Sequence, residues 1–219
     1  MRTATPADLS PIPQAEASRD CPLCPRLVHL REQLRAEKPD WWNAPVPAFG
    51  DPNAWLAMVG LAPGRKGANR TGRPFTGDYS GEIFYSTLLK FGLAHGAYRG
   101  EADNGVELVG TIVINAVKCL PPANRPLPVE VTTCRNFLTA SLAALPQVRV
   151  VIALGQIAHS SAAKALGVQA KFAHGAETVA PDGRLLVASY HCSRQNTNTG
   201  RLSPEMFESI FERALAHAR

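Results

Sequence analysis

Asp78, Phe75, Arg70 and Arg73 all lie in one glycine-rich run that begins Gly60-Leu-Ala-Pro-Gly64 and ends Gly77-Asp78-Tyr-Ser-Gly81. Between residues 60 and 81 the chain places six glycines and two prolines. A hydrophobic core has no use for such a composition. Glycine lets backbone approach a ligand closely and reach φ > 0. Exposed N–H groups and guanidinium groups suit a phosphate-bearing ligand. Phe75 offers a stacking plate, and Asp78 a carboxylate for acid–base or cation-stabilising work. Long loops in compact domains are usually functional or disordered, and apolar segments flank this one too closely for disorder.

A second run, Ser189-Tyr-His191-Cys-Ser193-Arg194-Gln-Asn-Thr-Asn-Thr-Gly-Arg201, surrounds a histidine with phosphate-contacting residue types. A lone histidine is more often structural. This one follows a strand and precedes Ser193, Arg194 and Arg201, which favours function. Asn115 ends another apolar stretch and presents a donor and an acceptor side by side, matching the edge of a nucleobase.

The chain contains five cysteines. Cys21 and Cys24 form a chelating bite, and Cys119 and Cys134 complete a four-thiolate set suited to zinc or an iron–sulfur cluster. Spacing does not choose between the two metals. The rival readings are ordinary buried thiols and a redox pair. Cys192 belongs to the histidine run. An odd count that opens on Cys-x-x-Cys argues against a secreted disulfide framework.

These residues need elements to position them. Apolar runs predict strands at residues 55–61, 106–116, 149–154 and 185–189. Apolar periodicity predicts helices at 27–37, 80–93, 129–145, 157–166 and 204–217, the last with Ser203 as N-cap and Pro204 at its first position. Residues 39–53, 92–105 and 121–128 read as connections. Strands that alternate with helices and are nearly continuously apolar imply a parallel sheet covered on both faces. The expected fold is α/β: three layers, α/β/α, around a mainly parallel four-stranded sheet. A flexible leader, residues 1–18, would precede a single domain, 19–219. Ligands of such sheets bind beyond the carboxyl ends of the strands. Both runs, Asn115 and Gly155-Gln156 fall there.

The chain has 219 residues, a net charge of +5 and a pI near 9.1, a moderate bias toward a polyanionic partner. The first twenty residues contain no apolar signal region, and no apolar run is long enough to span a bilayer. A soluble, cytoplasmic monomer with no membrane partner is expected.

Together these motifs resemble the uracil-DNA glycosylase superfamily, and within it family 5, the type B enzymes. The resemblance rests on Gly60-Leu-Ala-Pro-Gly64, Gly67-Ala-Asn-Arg-Thr-Gly-Arg-Pro-Phe-Thr-Gly-Asp78, Asn115-Ala-Val-Lys-Cys119-Leu-Pro-Pro, His191-x-Ser193 and Thr199-Gly-Arg-Leu202. It covers the chain from about Cys21 onward. It implies a DNA-repair enzyme that flips a deaminated base from DNA and hydrolyses its N-glycosidic bond. Uracil heads the expected substrates, with hydroxymethyluracil and hypoxanthine beside it. It implies that Phe75 stacks on the base, Asn115 reads its edge, His191 contacts its carbonyl, and Asp78 is the catalytic carboxylate. Ala62, between Gly60 and Gly64, stands where sister families carry an acid or amide. Arg70, Arg73, Ser193, Arg194 and Arg201 would hold phosphates. Cys21, Cys24, Cys119 and Cys134 fall where the family places the ligands of a 4Fe-4S cluster. Cys192 departs from the family's usual Pro, which frees φ and adds an N–H. Gln195 is the expected wedge.

Three rivals remain at this level. A metal-stapled module that binds nucleic acid without catalysis would keep the basic loops and cysteines. A mononucleotide enzyme would need a Walker Lys-Ser/Thr, which Arg65-Lys66-Gly67 lacks. A sister family that traps its product through a histidine would need a basic insertion near His95, and none is there.

Overall fold

The computed structural model describes residues 4–101 and 105–218. Residues 1–3 of the expected leader and 102–104 of the expected connection lie outside the described residues.

In chain order the elements are α1 (Pro6–Leu9), α2 (Pro25–Glu37), β1 (Phe49–Gly50), β2 (Leu56–Gly60), α3 (Ala68–Thr71), α4 (Tyr79–Lys90), β3 (Ala94–His95), β4 (Glu107–Leu108), β5 (Thr111–Asn115), α5 (Pro128–Ala143), β6 (Val150–Leu154), α6 (Gln156–Ala165), β7 (Glu177–Val179), β8 (Leu185–Ser189), α7 (Arg194–Asn198) and α8 (Pro204–Ala218). Short 3₁₀ turns fall at Pro13–Ala15 and Pro122–Asn124.

The main sheet has the order β1-β5-β2-β6-β8-β7. Its inner four strands are parallel and match the four expected runs. The sheet has six strands, not four, because β1 and β7 add antiparallel edges. Neither edge was legible. β1 is two residues long and ends on Gly50, whose φ of +135° suits glycine. β7 alternates no apolar face, with both ends exposed. The expected strand 106–116 is two strands, broken at Gly110 (φ +57°), where a Cβ would meet the Trp55 ring. β4 pairs with β3 inside the expected connection, as a separate small sheet.

Successive residues of the inner strands face opposite sides. Leu56, Met58, Ile152, Leu154 and Val187 pack with Phe84 and Leu88 of α4 and with Phe207 and Phe211 of α8. Ala57, Val59, Ile114, Val151 and Leu186 pack with Leu138 and Leu142 of α5 and with Ala158 and Ala162 of α6. The result is the expected three-layer α/β/α domain.

The segment expected as a flexible leader packs on this domain from about residue 10 onward. Ile12 and Ala15 join the second apolar layer. The Glu16 carboxylate is fully buried against the Lys118 ammonium at 2.8 Å and accepts from the Ala48 N–H and the Ser10 hydroxyl, each at 2.8 Å. Among the described residues, no helix is long and apolar enough to cross a membrane.

Candidate active site at the carboxyl edge of the sheet

β2 and β5 end in register, Gly60 beside Asn115. The chain leaves β2 toward α4 on one face of the sheet and leaves β6 toward α6 on the other. The crevice between β2 and β6 is therefore a topological switch point, where ligands of such sheets bind. A cavity of about 620 Å³ opens there. Ala62, Phe75, Asp78, Asn115, His191 and Ser193 all line it. Three distant stretches of chain thus converge on one hollow.

Glycine does specific structural work on its floor. A Cβ on Gly60 would lie 2.8 Å from the Asn115 Oδ1 and 3.1 Å from the Phe75 ring. Only a hydrogen there lets the amide and the aromatic plate share one wall. Phe75 itself has φ +55°, a left-handed conformation that costs about 1–3 kcal/mol in a bulky residue. Its surroundings enforce that turn. Its ring stacks on Phe84 with centroids 4.2 Å apart, and its carbonyl accepts from the Tyr98 hydroxyl at 3.1 Å. The Tyr85 hydroxyl donates to the neighbouring Pro74 carbonyl at 2.8 Å. A side chain on Gly81 would overlap the Phe75 carbonyl.

Asp78 caps α4 and accepts from the Gly81 N–H at 3.2 Å. Its Oδ2 packs on the glycine turn, where a Cβ on Gly67 would approach within 2.6 Å. Exposed to the cavity yet ringed by the loop, the carboxyl has its pKa raised by desolvation, with hydrogen bonds from Gly81 and Ser80 opposing the rise. The carboxyl is therefore more basic than a free one.

His191 follows β8 and faces Phe75, ring centroids 5.9 Å apart. Burial pushes its imidazole down to about 4, so the ring is neutral. Its Nδ1 is buried without a hydrogen-bond partner among the described residues. The Asn196 side chain donates to the His191 carbonyl at 2.8 Å and braces the loop. Cys192 points away from the cavity into the core, its thiol 3.6 Å from the Ser80 carbonyl at the start of α4. The residue in place of the usual Pro therefore ties the histidine loop to the helix that Asp78 caps.

The cationic residues divide. Arg70 and Arg194 line a second, more open groove of about 600 Å³ that shares Asp78 with the cavity. Arg70 is engaged there by the Glu101 carboxylate at 2.9 and 3.2 Å, and Arg194 lies over Tyr79. Arg73 stacks 3.8 Å over Phe49, and Arg201 lies 4.6 Å over Tyr190. Neither of these two lines either hollow. Gln195 lines the cavity. Gly155 and Gln156, expected at this edge, line it too, whereas sequence reasoning did not name Asn124 or Arg125, which also line it. The signal for these two was a Pro-rich loop, where Ala123 and Asn124 turn left-handed.

All four cysteines of the expected metal set line a separate small hollow walled by Leu27, Val117 and Phe137. Each is a free thiol. Burial raises the thiol pKa of Cys24 to about 11 and of Cys119 to about 12. The Lys118 N–H donates to Cys134 Sγ at 3.3 Å. Among the described residues, no group of three or more His, Cys, Asp and Glu side chains closes on a single metal position.

The model of the uracil DNA glycosylase superfamily matches residues 47–215. The chain is 45% identical over 202 residues to a Type-5 uracil-DNA glycosylase of Thermus thermophilus, covering 89% of this chain and 92% of that protein. It is 43% identical over 204 residues to a Type-5 uracil-DNA glycosylase of Pyrobaculum aerophilum, covering 91% and 89%. A Type-4 uracil-DNA glycosylase of Archaeoglobus fulgidus is 34% identical over 114 residues, covering 52% of this chain and 49% of that protein.

Proposed function

The chain belongs to the uracil DNA glycosylase superfamily, with the type-5 enzymes, and from that premise we propose how its own residues release uracil from DNA. The observation that carries the reading is the convergence of Phe75, Asp78, Asn115 and His191 on one cavity.

A base inside a duplex hides its glycosidic bond, so the nucleotide must be extruded. The cavity takes the extruded base. Phe75 stacks on it, and Asn115 pairs with its polar edge. The bond breaks toward an oxocarbenium-like sugar and a base anion. Neutral His191 donates to the base carbonyl as charge develops there, and such a donor contributes about 2.7–4 kcal/mol. Asp78 stabilises the sugar cation, orients the attacking water, or does both. Arg70, Arg73, Ser193, Arg194 and Arg201 hold the flanking phosphates, with Gln195 as the wedge. Ala62 puts a methyl group, and no acid or amide, at its own point on the wall, which supports a wide base range that includes hydroxymethyluracil and hypoxanthine. The protein acts as a cytoplasmic monomer beside the genome.

Cys21, Cys24, Cys119 and Cys134 would hold a 4Fe-4S cluster. Four free thiols ringing one apolar hollow fit that group. When bound, the group would serve as a staple joining α2 to β5 and α5. An absorption spectrum of freshly purified protein, with metal analysis, tests this; four-thiolate zinc alone would reject the cluster.

The test of the activity is release of free base from duplexes carrying uracil, hydroxymethyluracil or hypoxanthine. Release of all three is expected. Release of uracil alone would reject the wide range. Duplex binding with no release would support the non-catalytic module instead.

A further inference from the structure

Behind His191 stands a histidine to which the reaction assigns no role. His174 lies in the segment leading into β7. Its Nδ1 accepts the Tyr190 backbone N–H at 3.1 Å, and its Nε2 donates to the Met206 carbonyl in the first turn of α8 at 3.2 Å. Its ring stacks on the Tyr190 ring, centroids 5.1 Å apart and 20° from parallel. The Arg201 guanidinium covers Tyr190 as well, at 4.6 Å. Phe172 packs against Tyr190 at 5.9 Å. One half-buried imidazole thus spends Nδ1 and a ring face on fixing the residue before His191, while Nε2 anchors it to α8.

We propose that His174 is a positioning residue for base release: as its Nε2–H tautomer it locks the Tyr190 peptide, and through it sets where His191 and Arg201 meet the substrate. This rests on the glycosylase reading above. The tautomer follows from the partners, since a backbone N–H requires an acceptor at Nδ1 and a carbonyl requires a donor at Nε2. Burial and the nearby Arg213 charge lower the ring's pKa, against the Met206 hydrogen bond that raises it. The coupling to His191 is short. Tyr190 and His191 share one peptide bond, and the next tie downstream is the Asn196 side chain on the His191 carbonyl. Without the His174 acceptor, the Tyr190 N–H loses its hydrogen bond, and the Ser189 hydroxyl on the Tyr190 carbonyl at 2.9 Å is left as the upstream tie. A misplacement of about 1 Å at a reacting group can lower a rate on the order of 100-fold.

The experiment compares His174→Asn, His174→Gln and His174→Leu in single-turnover uracil release at saturating enzyme, with duplex Kd and melting temperature measured on each. Asn places a carboxamide oxygen near Nδ1 and restores the acceptor; Gln restores only the donor near Nε2. The expected result is His174→Asn within about threefold of the parent rate, with His174→Gln and His174→Leu roughly tenfold or more slower and Kd nearly unchanged. Equal rates for Asn and Gln, or a loss confined to Kd, would overturn the proposal. Nitrogen-15 spectra of the histidines in the unmutated protein provide an independent check. A proton on Nδ1 of His174 would also overturn it, whatever the variants' folding. If the unmutated protein releases no uracil, the glycosylase reading fails instead, and the spectra still decide the tautomer.

Discussion

The cavity rim and the cysteine hollow are both assembled from distant segments, but by opposite means. At the rim, position is enforced by backbone conformation: Phe75 sits in a left-handed turn, and Gly60, Gly67 and Gly81 are bare where a Cβ would collide. Polar groups there stay unsatisfied, as the buried Nδ1 of His191 shows. Around the cysteines, position is enforced by charge. Glu16 is sealed against Lys118, Arg26 grips Glu130 at 2.7 and 2.8 Å, and Arg31 donates to the Cys21 carbonyl at 3.1 Å. Ala62 touches both regions, lining the cavity and packing near Cys134 and Val117. The contrast teaches that the reactive edge keeps the His191 imidazole for substrate, while the hollow is braced by ion pairs, even though Arg31 Nε on its wall also has no partner among the described residues.

If that division is right, stability and rate should separate by region. The largest change is expected from Glu16→Gln. It leaves the Lys118 ammonium buried without a counter-charge, a loss of about 3–5 kcal/mol. The melting temperature should fall on the order of 10 °C, while single-turnover release at low temperature stays within about twofold of the parent. A parent-like melting curve would break the comparison. His191→Ala should do the reverse, slowing release about 10²–10³-fold while thermal denaturation shifts little. Gly67→Ala comes next. Its new Cβ would press on Asp78 Oδ2, and release should slow roughly tenfold, the scale of a small misplacement. An unaffected rate would mean that the glycine turn does not position Asp78.

The smallest effect concerns pH. The folded His191 titrates near 4, below the ordinary histidine value, so the unfolded chain takes up its proton first as pH falls. The stability contributed by neutral His191 is fully present above about 6.5 and is lost as pH falls toward 4. Thermal melts across that window should steepen in the parent relative to His191→Gln. Identical pH profiles would contradict the burial of the ring.

Much of the rim was legible because its residue types are costly or useless elsewhere: a run of six glycines around an aspartate and a phenylalanine has no packing purpose. The four parallel strands were legible because both faces are buried, giving unbroken apolar runs. The edge strands were not, since β1 and β7 pair through backbone alone and carry no face pattern. The leader misled because Ile12, Ala15 and Glu16 are few among polar and proline residues, and the partner that buries Glu16 is a lysine 102 positions away. Asn124 and Arg125 reach the cavity through loop trajectory, which residue type does not encode. The ring stack of His174 on Tyr190 has the same origin: two aromatic residues sixteen positions apart are brought together by the pairing of β7 with β8.

The central claim is that Asp78 acts on the breaking bond while the rest of the rim holds the base. Single-turnover uracil release by Asp78→Asn at saturating enzyme, beside its duplex Kd, tests it most directly, because Asn still caps α4. The account predicts a rate lower by roughly 100-fold or more with Kd unchanged. A rate near that of the parent, or a loss accounted for wholly by weaker binding, would contradict it.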